Sequence, residues 1–204
     1  MMEVYPLFSN PILCDIIDYD SKSINEYLEE INYEQYEYKN GYSSLDQKIL
    51  LHEKFSEVRF IIENYINCFL FEILKFKQGK IKHSCSWINL HKTGDYAQTH
   101  NHPNSFISGI LYLKVPSDCG KIYFSHPEEI PSYRTSTISP SIGEFNIYNS
   151  KVWSFEPKKN MLLIFPSHLS HGTDKNLSNL NRYSLAFNYF LEGNFGGDTT
   201  FLSL

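Results

Sequence analysis

The spacing of apolar residues changes character once along this chain, near Gly79. Before that point, from about Leu45 to Lys77, apolar side chains recur at Leu51, Phe55, Val58, Ile62, Tyr65 or Ile66, Phe69 and Ile73. Steps of three and four follow one face of a helix, so one long helix or two is expected, with Gly79 as the stop. After it come short runs of strand-forming residues parted by Pro, Gly and Asn. They predict strands over 84–90, 106–115, 121–124, 145–148, 152–155, 161–165 and 183–191. A sandwich or jelly roll suits the pattern.

Upstream, residues 5–13 read as a short strand bounded by Pro6 and Pro11. Ser23 and Glu26 fit a capping box opening a helix with Ile24, Tyr27, Leu28 and Ile31 on one face. The polar, tyrosine-rich residues 33–42 read as a loop closing at Asn40-Gly41. The 204 residues contain no internal repeat and no linker-like stretch. The expectation is a mainly β (α+β) single domain over 1–204. Residues 1–80 would form a mainly helical support layer on a jelly-roll core over 81–204.

Composition narrows the function classes. A net charge of −5 provides no basic footprint, which argues against nucleic acid and anionic membranes as partners. The first residues carry Glu3 and Asp15 but no basic segment, so no signal peptide is expected. The most apolar stretch, 60–76, is broken by Glu63, Asn64, Asn67, Glu72 and Lys75, too often for a membrane span. Cys14, Cys68, Cys85 and Cys119 show no paired spacing and read as buried free thiols of a reducing, cytoplasmic compartment. A homodimer is left open.

Chemistry concentrates in two places. His100 and His102 directly precede the alternating run 106–115. On an extended chain, residues i and i+2 share a face roughly 6.5–7 Å apart, so both imidazoles can converge on one ion; on a helix they would diverge. Pro103 ends regular pairing there and sets the pair at the mouth of a sheet. Further on, an apolar strand stops at Pro166 and runs into Ser167, His168 and His171. After ten intervening residues comes Arg182-Tyr183-Ser184. In that last strand Arg182, Ser184, Ala186 and Asn188 share one face and Tyr183, Leu185, Phe187 and Tyr189 the other, as in an antiparallel strand with one wet face.

Taken in order, Trp87-Ile88-Asn89, His100-Asn101-His102-Pro103, Ser108-Gly109-Ile110-Leu111-Tyr112, Phe165-Pro166-Ser167, His171 and Arg182-Tyr183-Ser184 resemble the 2-oxoglutarate/Fe(II)-dependent oxygenases. The likeness runs from about Cys85 to Phe190, and is greatest to an uncharacterised branch with the same His-x-His-Pro and Ser-Gly-x-x-Tyr pattern. It implies a double-stranded β-helix with Fe(II) at its open end, held by His100 and His171. His102 stands where the family at large carries a carboxylate. A facial triad leaves positions for co-substrate and O2. The resemblance further implies that 2-oxoglutarate binds the iron through its keto acid end. Its far carboxylate would reach Arg182 and Ser184, with Tyr112 as a further contact. Guanidinium suits that role because it stays charged and grips a carboxylate with two prongs.

His102 departs from the family pattern, and three readings stay open. It is a third ligand; or it lies behind a two-His site completed by water, as in aspartyl hydroxylase relatives; or the register shifts so that His102 and Asn104 serve. Of the other histidines, His168 is expected behind the site or in solvent, His91 on the surface, His52 and His126 structural or exposed, and His83 carries no signal. The expected activity is oxidative decarboxylation of 2-oxoglutarate to succinate coupled to hydroxylation of a peptide side chain, amino acid or small metabolite. The substrate would meet residues 89–95 and 125–149. Two rivals remain. A three-His cupin dioxygenase without 2-oxoglutarate fits the spacing from Gly94 to His100, but lacks the expected glutamate and has no use for Arg-x-Ser. A non-catalytic β-roll with structural zinc would hold the ion in a closed tetrahedral site.

Overall fold

The computed structural model describes residues 2–6, 9–38, 40–77, 79–125 and 141–204. In chain order the elements are β1 (Leu13–Ile16), α1 (Lys22–Glu30), β2 (Tyr33–Gln35), β3 (Tyr42–Ser44) and α2 (Ser56–Asn67). They are followed by β4 (Lys80–His91), β5 (Ile107–Lys114), β6 (Ile122–Ser125), β7 (Val152–Phe155) and β8 (Met161–Pro166). The chain closes with β9 (His171–Thr173), β10 (Arg182–Glu192), β11 (Asn194–Phe195) and β12 (Leu202–Ser203). The larger sheet has the order β1-β8-β5-β10-β4-β3-β2, and a smaller one has β7-β6-β9. All these pairings are antiparallel. Two antiparallel sheets between which the chain crosses make the expected double-stranded β-helix, with helices on one side.

Strand periodicity explains the layering. Leu162, Ile164, Leu111, Leu113, Leu185, Phe187, Ile88 and Leu90 face outward from the larger sheet. There they join Ile24 and Leu28 of α1 and Val58, Ile62 and Ile66 of α2 in one buried cluster. The intervening residues Leu163, Phe165, Ile110 and Tyr112 face the smaller sheet and pack with Ile122 and Phe124. Both faces of β10 are therefore covered. The polar residues Arg182, Ser184 and Asn188 are buried, so the face expected to be wet is turned to the interior instead.

Other expectations shift for local reasons. The helical run begins as two 3-10 turns over Ile49–Leu51 and Glu53–Phe55 and ends in a π-helical turn over Cys68–Ile73. Each advances around the axis at a different rate from an α-helix, so the stripe loses its ends. Leu51 is 48% exposed and Ile73 53%. Lys75, with φ 59°, leaves the helical region before Gly79 is reached. The expected strand over 5–13 is displaced to β1, past Pro6 and Pro11, which cannot donate to a ladder. The capping box is not used: α1 already includes Ser23, and Asp20 Oδ1 accepts from Lys22 N–H at 3.0 Å. In place of the expected loop, β2 and β3 pair as a hairpin on the sheet edge.

Residues 145–148 are a turn. Asn146 Oδ1 accepts from Tyr148 N–H at 2.8 Å, and Asn149 donates its amide to Glu144 O at 2.7 Å. Side chains there supply what a partner strand would have. All four cysteines are free, but Cys14 and Cys68 are exposed and only Cys119 is fully buried. No described helix is long and apolar enough to cross a membrane.

Gly109 sits where β5 passes closest to its neighbours. A Cβ there would lie 2.2 Å from Phe187 Cζ and 2.7 Å from the Leu163 carbonyl oxygen. Extended backbone tolerates any residue, so glycine is needed here for space. We predict that Gly109→Ala lowers the unfolding free energy by about 1–3 kcal/mol in urea titrations, as overpacking does. Combined with Phe187→Leu it should cost less than the sum of the two. A Gly109→Ala protein as stable as the parent would refute this packing.

Candidate functional site

The site is built where the chain crosses between the sheets. β8 stops at Pro166, and the next turn, closed by Leu169 N–H to Pro166 O at 3.0 Å, delivers His171 to the smaller sheet. The segment before β5 comes back the other way. His100 and His171 exchange two backbone hydrogen bonds, each N–H to the other's carbonyl at 2.9 Å. This adds a one-residue fourth strand to the smaller sheet. Two residues on, His102 N–H donates to Ser167 O at 3.0 Å. Both crossings are thus tied together at the backbone, and the three rings converge.

The candidate ligand nitrogens of His100, His102 and His171 all lie within 4.8 Å of one another. His102 Nε2 and His171 Nε2 are 3.2 Å apart. Two imidazole nitrogens each about 2.1 Å from one ion stand about 3.0–3.4 Å apart, so this pair has the spacing that a shared metal requires. His100 Nδ1 lies 2.7 Å from Gln98 O and His171 Nδ1 2.9 Å from Leu169 O. Carbonyls only accept, so both Nδ1 atoms carry the proton and both Nε2 lone pairs face the cluster, the arrangement found around bound metals. His102 Nδ1 is 3.2 Å from Asn188 Nδ2. Asn104 is exposed and His168 lies in solvent, and neither joins the cluster.

The cluster opens into a cavity of about 300 Å³ between the sheets. Arg182, Ser184 and Tyr112 line its far end, and Ile110, Ile122, Phe165 and Ala186 its apolar walls. Arg182 is 2% exposed, yet none of the described residues gives it a carboxylate partner. Its NH1 donates to Cys119 O at 2.6 Å and Gly120 O at 3.1 Å; its NH2 donates to Thr173 Oγ1 at 3.0 Å and to His91 Nδ1. Four of its five protons are therefore in use. The fifth, on Nε, has no acceptor among the described residues, so a two-pronged grip on a ligand requires only one terminal N–H to exchange its present acceptor for an incoming oxygen. Tyr112 is fully buried, pairs across the strands with Ser184, and its hydroxyl has no partner among the described residues.

Sequence reasoning missed His91. It is not on the surface but 2% exposed at the end of β4, with its Nδ1 accepting from Arg182 and its Nε2 unpartnered. The signal was present, since Trp87, Asn89 and His91 step in twos along one strand face. Tyr36, on the β2–β3 hairpin, was not legible. Its hydroxyl and Trp87 Nε1 (2.8 Å) both donate to Asn89 Oδ1. Asn89 and His91 of the expected 89–95 line the cavity, and the hairpin residues Tyr36, Tyr38 and Asn40 join them with 97–100. The second expected loop, 125–149, and His126 lie largely outside the described residues.

A family model described as "Putative 2OG-Fe(II) oxygenase" matches residues 85–188, half of the chain. The chain belongs to this family. It is an oxygenase of the class that uses iron(II), 2-oxoglutarate and molecular oxygen. Solved structures of the same fold include a prolyl-4-hydroxylase from Pseudomonas putida, at 12% identity and TM-score 0.59, covering 92% of this chain and 96% of that one. HygX from Streptomyces hygroscopicus, solved with nickel and 2-oxoglutarate, has 10% identity and TM-score 0.60, covering 88% and 82%. A prolyl hydroxylase from Trichoplax adhaerens, in complex with a hypoxia-inducible factor peptide fragment, has 14% identity and TM-score 0.58, covering 90% and 85%. At such identities the likeness is one of fold. Among curated proteins no sequence matches the chain.

Burial sets the charge state of this oxygenase's interior. It lowers the pKa of His91 and His102 to about 3 and of His83 and His171 to about 4. Neighbouring charge adds to it, from Arg182 at His91, from His171 and His100 at His102, and from His100 at His171. In the unfolded chain these rings titrate near 6.5. Between the two values the unfolded state binds more protons, so stability falls as pH drops below about 6.5, by up to about 1.4 kcal/mol per unit for each ring. The urea midpoint of metal-free protein should therefore decline steadily from pH 7 to pH 4.5. A flat profile would mean that the rings are not buried as described.

Proposed function

We propose that the chain couples oxidative decarboxylation of 2-oxoglutarate to hydroxylation of a small molecule or a peptide side chain, with His100, His102 and His171 as the iron ligands. In this reading Arg182, Ser184 and Tyr112 hold the far carboxylate of the co-substrate, and residues 81–204 are the catalytic core of a single domain. The observation that carries it is the buried, acid-free Arg182 in the same cavity as three converging imidazoles. A guanidinium withdrawn from water without a counter-charge is costly, and an anionic ligand relieves that cost.

The bound metal and co-substrate supply the oxidising chemistry, while the protein supplies orientation and electrostatics. Gln98 O and Leu169 O hold the rings of His100 and His171 so that Nε2 faces inward. Three neutral imidazoles leave the ion's full positive charge at one end of the cavity, and Arg182 sets a second at the other. A doubly anionic molecule spanning them is favoured over a neutral one. Tyr112 offers an unpartnered hydroxyl, and burial raises its pKa, which keeps it a donor. Ile110, Ile122, Phe165 and Ala186 leave water few partners along the walls. Among the described residues, those at the mouth, Tyr36, Tyr38, Asn40 and Gln98, carry no charge, which suits recognition of a neutral group by hydrogen bonds.

Succinate should accumulate when the protein is given iron(II), oxygen and 2-oxoglutarate, slowly without the true substrate, and not in the presence of a chelator. Arg182→Ala should weaken 2-oxoglutarate binding by about 1.5–3 kcal/mol, roughly 10- to 150-fold by calorimetry. Arg182→Lys should recover part of it. Ser184→Ala should cost about 1 kcal/mol through one lost bond. Metal affinity should hold in all three. Metal-dependent oxygen uptake without succinate would favour the cupin chemistry, and unchanged 2-oxoglutarate affinity in folded Arg182→Ala would remove the anion site.

A further inference from the structure

Two motifs, Ser108-Gly109 and Pro166-Ser167, contribute side chains to no part of the site described above, yet both serines are buried beside it. They form a chain of hydroxyls. Ser105 Oγ is 3.2 Å from Ile107 O and 3.4 Å from Tyr189 O; Ser167 Oγ is 3.0 Å from Ser105 Oγ; Ser108 Oγ is 2.8 Å from Ser167 Oγ. At the other end Ser108 Oγ is 2.7 Å from the Asn188 side-chain amide, and that amide is 3.2 Å from His102 Nδ1 and 3.3 Å from Cys85 Sγ. A register shift between β10 and β4 falls directly after Asn188. Such bulges re-aim side chains.

Each hydroxyl has one proton to give. The Ile107 and Tyr189 carbonyls can only accept, so a Ser105 that bonds them must itself accept from Ser167. Ser167 then accepts from Ser108, whose proton is thereby spent. Toward Asn188, Ser108 can now only accept, so the amide must turn its NH2 to Ser108 and its Oδ1 to His102 and Cys85. Facing Oδ1, His102 must carry its proton on Nδ1, and its Nε2 lone pair is free. Ser105 shares its one proton between the two carbonyls, every other link in that arrangement has one donor and one acceptor, and His102 matches His100 and His171.

The opposite amide orientation, with Nδ2 toward His102, is the one seen in the structure. It makes Nδ1 the acceptor, puts the ring proton on Nε2 and turns that proton toward His171 Nε2, 3.2 Å away. The Ser105 contacts to Ile107 O and Tyr189 O then have no proton. Exchange between the two adds and removes no proton; His102 moves its own from Nε2 to Nδ1 and the hydroxyls reverse direction.

We propose that Asn188, oriented by Ser108, Ser167 and Ser105, is a positioning residue that selects the His102 tautomer and thereby makes His102 a metal ligand. This rests on the three-histidine reading of the site. It accounts for a histidine in a ligand position usually held by a carboxylate. A carboxylate needs no tautomer, whereas an imidazole needs an acceptor behind it.

Zinc serves as a diamagnetic probe. In 15N-labelled, zinc-loaded parent protein, long-range 1H–15N spectra should show His102 protonated at Nδ1 and metal-bound at Nε2. Asn188→Asp, which can only accept from His102, should keep that signature and bind zinc at least as tightly. Asn188→Leu should lose the Nδ1 proton signal and bind zinc about 10- to 100-fold more weakly, the usual effect of removing such a partner. If Asn188→Leu does not fold, Ser108→Ala carries the same test, with an expected weakening of about 2- to 10-fold. Parent-like zinc affinity and an intact His102 signature in Asn188→Leu, or in Ser108→Ala where that variant stands in, would overturn the inference and leave the triad standing. If the parent protein takes up no zinc while His100→Ala behaves identically, the triad reading falls, and this inference with it.

Discussion

Two backbone hydrogen bonds between His100 and His171 hold together everything else in the site. They join residues 71 positions apart, on segments that carry the chain between the two sheets in opposite senses. Each segment alone would be an exposed crossover with unpaired amides. Paired, they become the last rung of the smaller sheet, and the side chains on either side of the rung are aimed before any ligand arrives. Pro166 contributes by closing β8 of the larger sheet, since it cannot donate to a ladder. The helical layer contributes at a distance. Packing Ile62, Ile66 and Leu28 on one face of β10 and β5 frees the opposite face to carry arginine, serine and asparagine.

That inner face is unusual in how its charge is arranged. It holds one permanent cation and several imidazoles kept neutral by burial, with no acid among the described cavity residues. Backbone carbonyls of Cys119 and Gly120, with the Thr173 hydroxyl and the His91 ring, solvate the guanidinium in place of a carboxylate. Dipoles of this kind hold a cation in position but leave its net charge uncompensated. The one permanent cation of the described cavity residues therefore stands without a counter-charge, in a protein whose overall charge is −5.

Much of this was legible in the residues. The switch from helical to alternating spacing near Gly79 located the sheets. The ordered histidines with Arg182 and Ser184 named the side chains that the fold brings to one cavity. Legibility failed where structure is decided at long range. β9 is only His171-Gly172-Thr173, too short to show any period, and it exists because Tyr123 and Phe124 of β6 pair with it. The β2–β3 hairpin looks like polar loop because its tyrosines earn their place by covering a cavity formed elsewhere. His91 steps in register with Trp87 and Asn89, but a lone polar residue at a strand end resembles surface until Arg182 is seen across from it. Residues 145–148 show the converse, strand-like in composition but folded by their own asparagines.

The proposed all-imidazole donor set would have a consequence for which ion the chain acquires. Nitrogen donors follow the Irving–Williams order, in which iron(II) ranks below nickel, copper and zinc, while an oxygen ligand would have tilted the balance toward harder ions. Were His102 the third donor, as proposed, the protein's own donors would give iron little preference over its competitors. Discrimination would then pass to the oxygen atoms of the co-substrate and to the supply of metals where the chain folds. The metallation state of such a protein is a record of its surroundings as much as of its sequence.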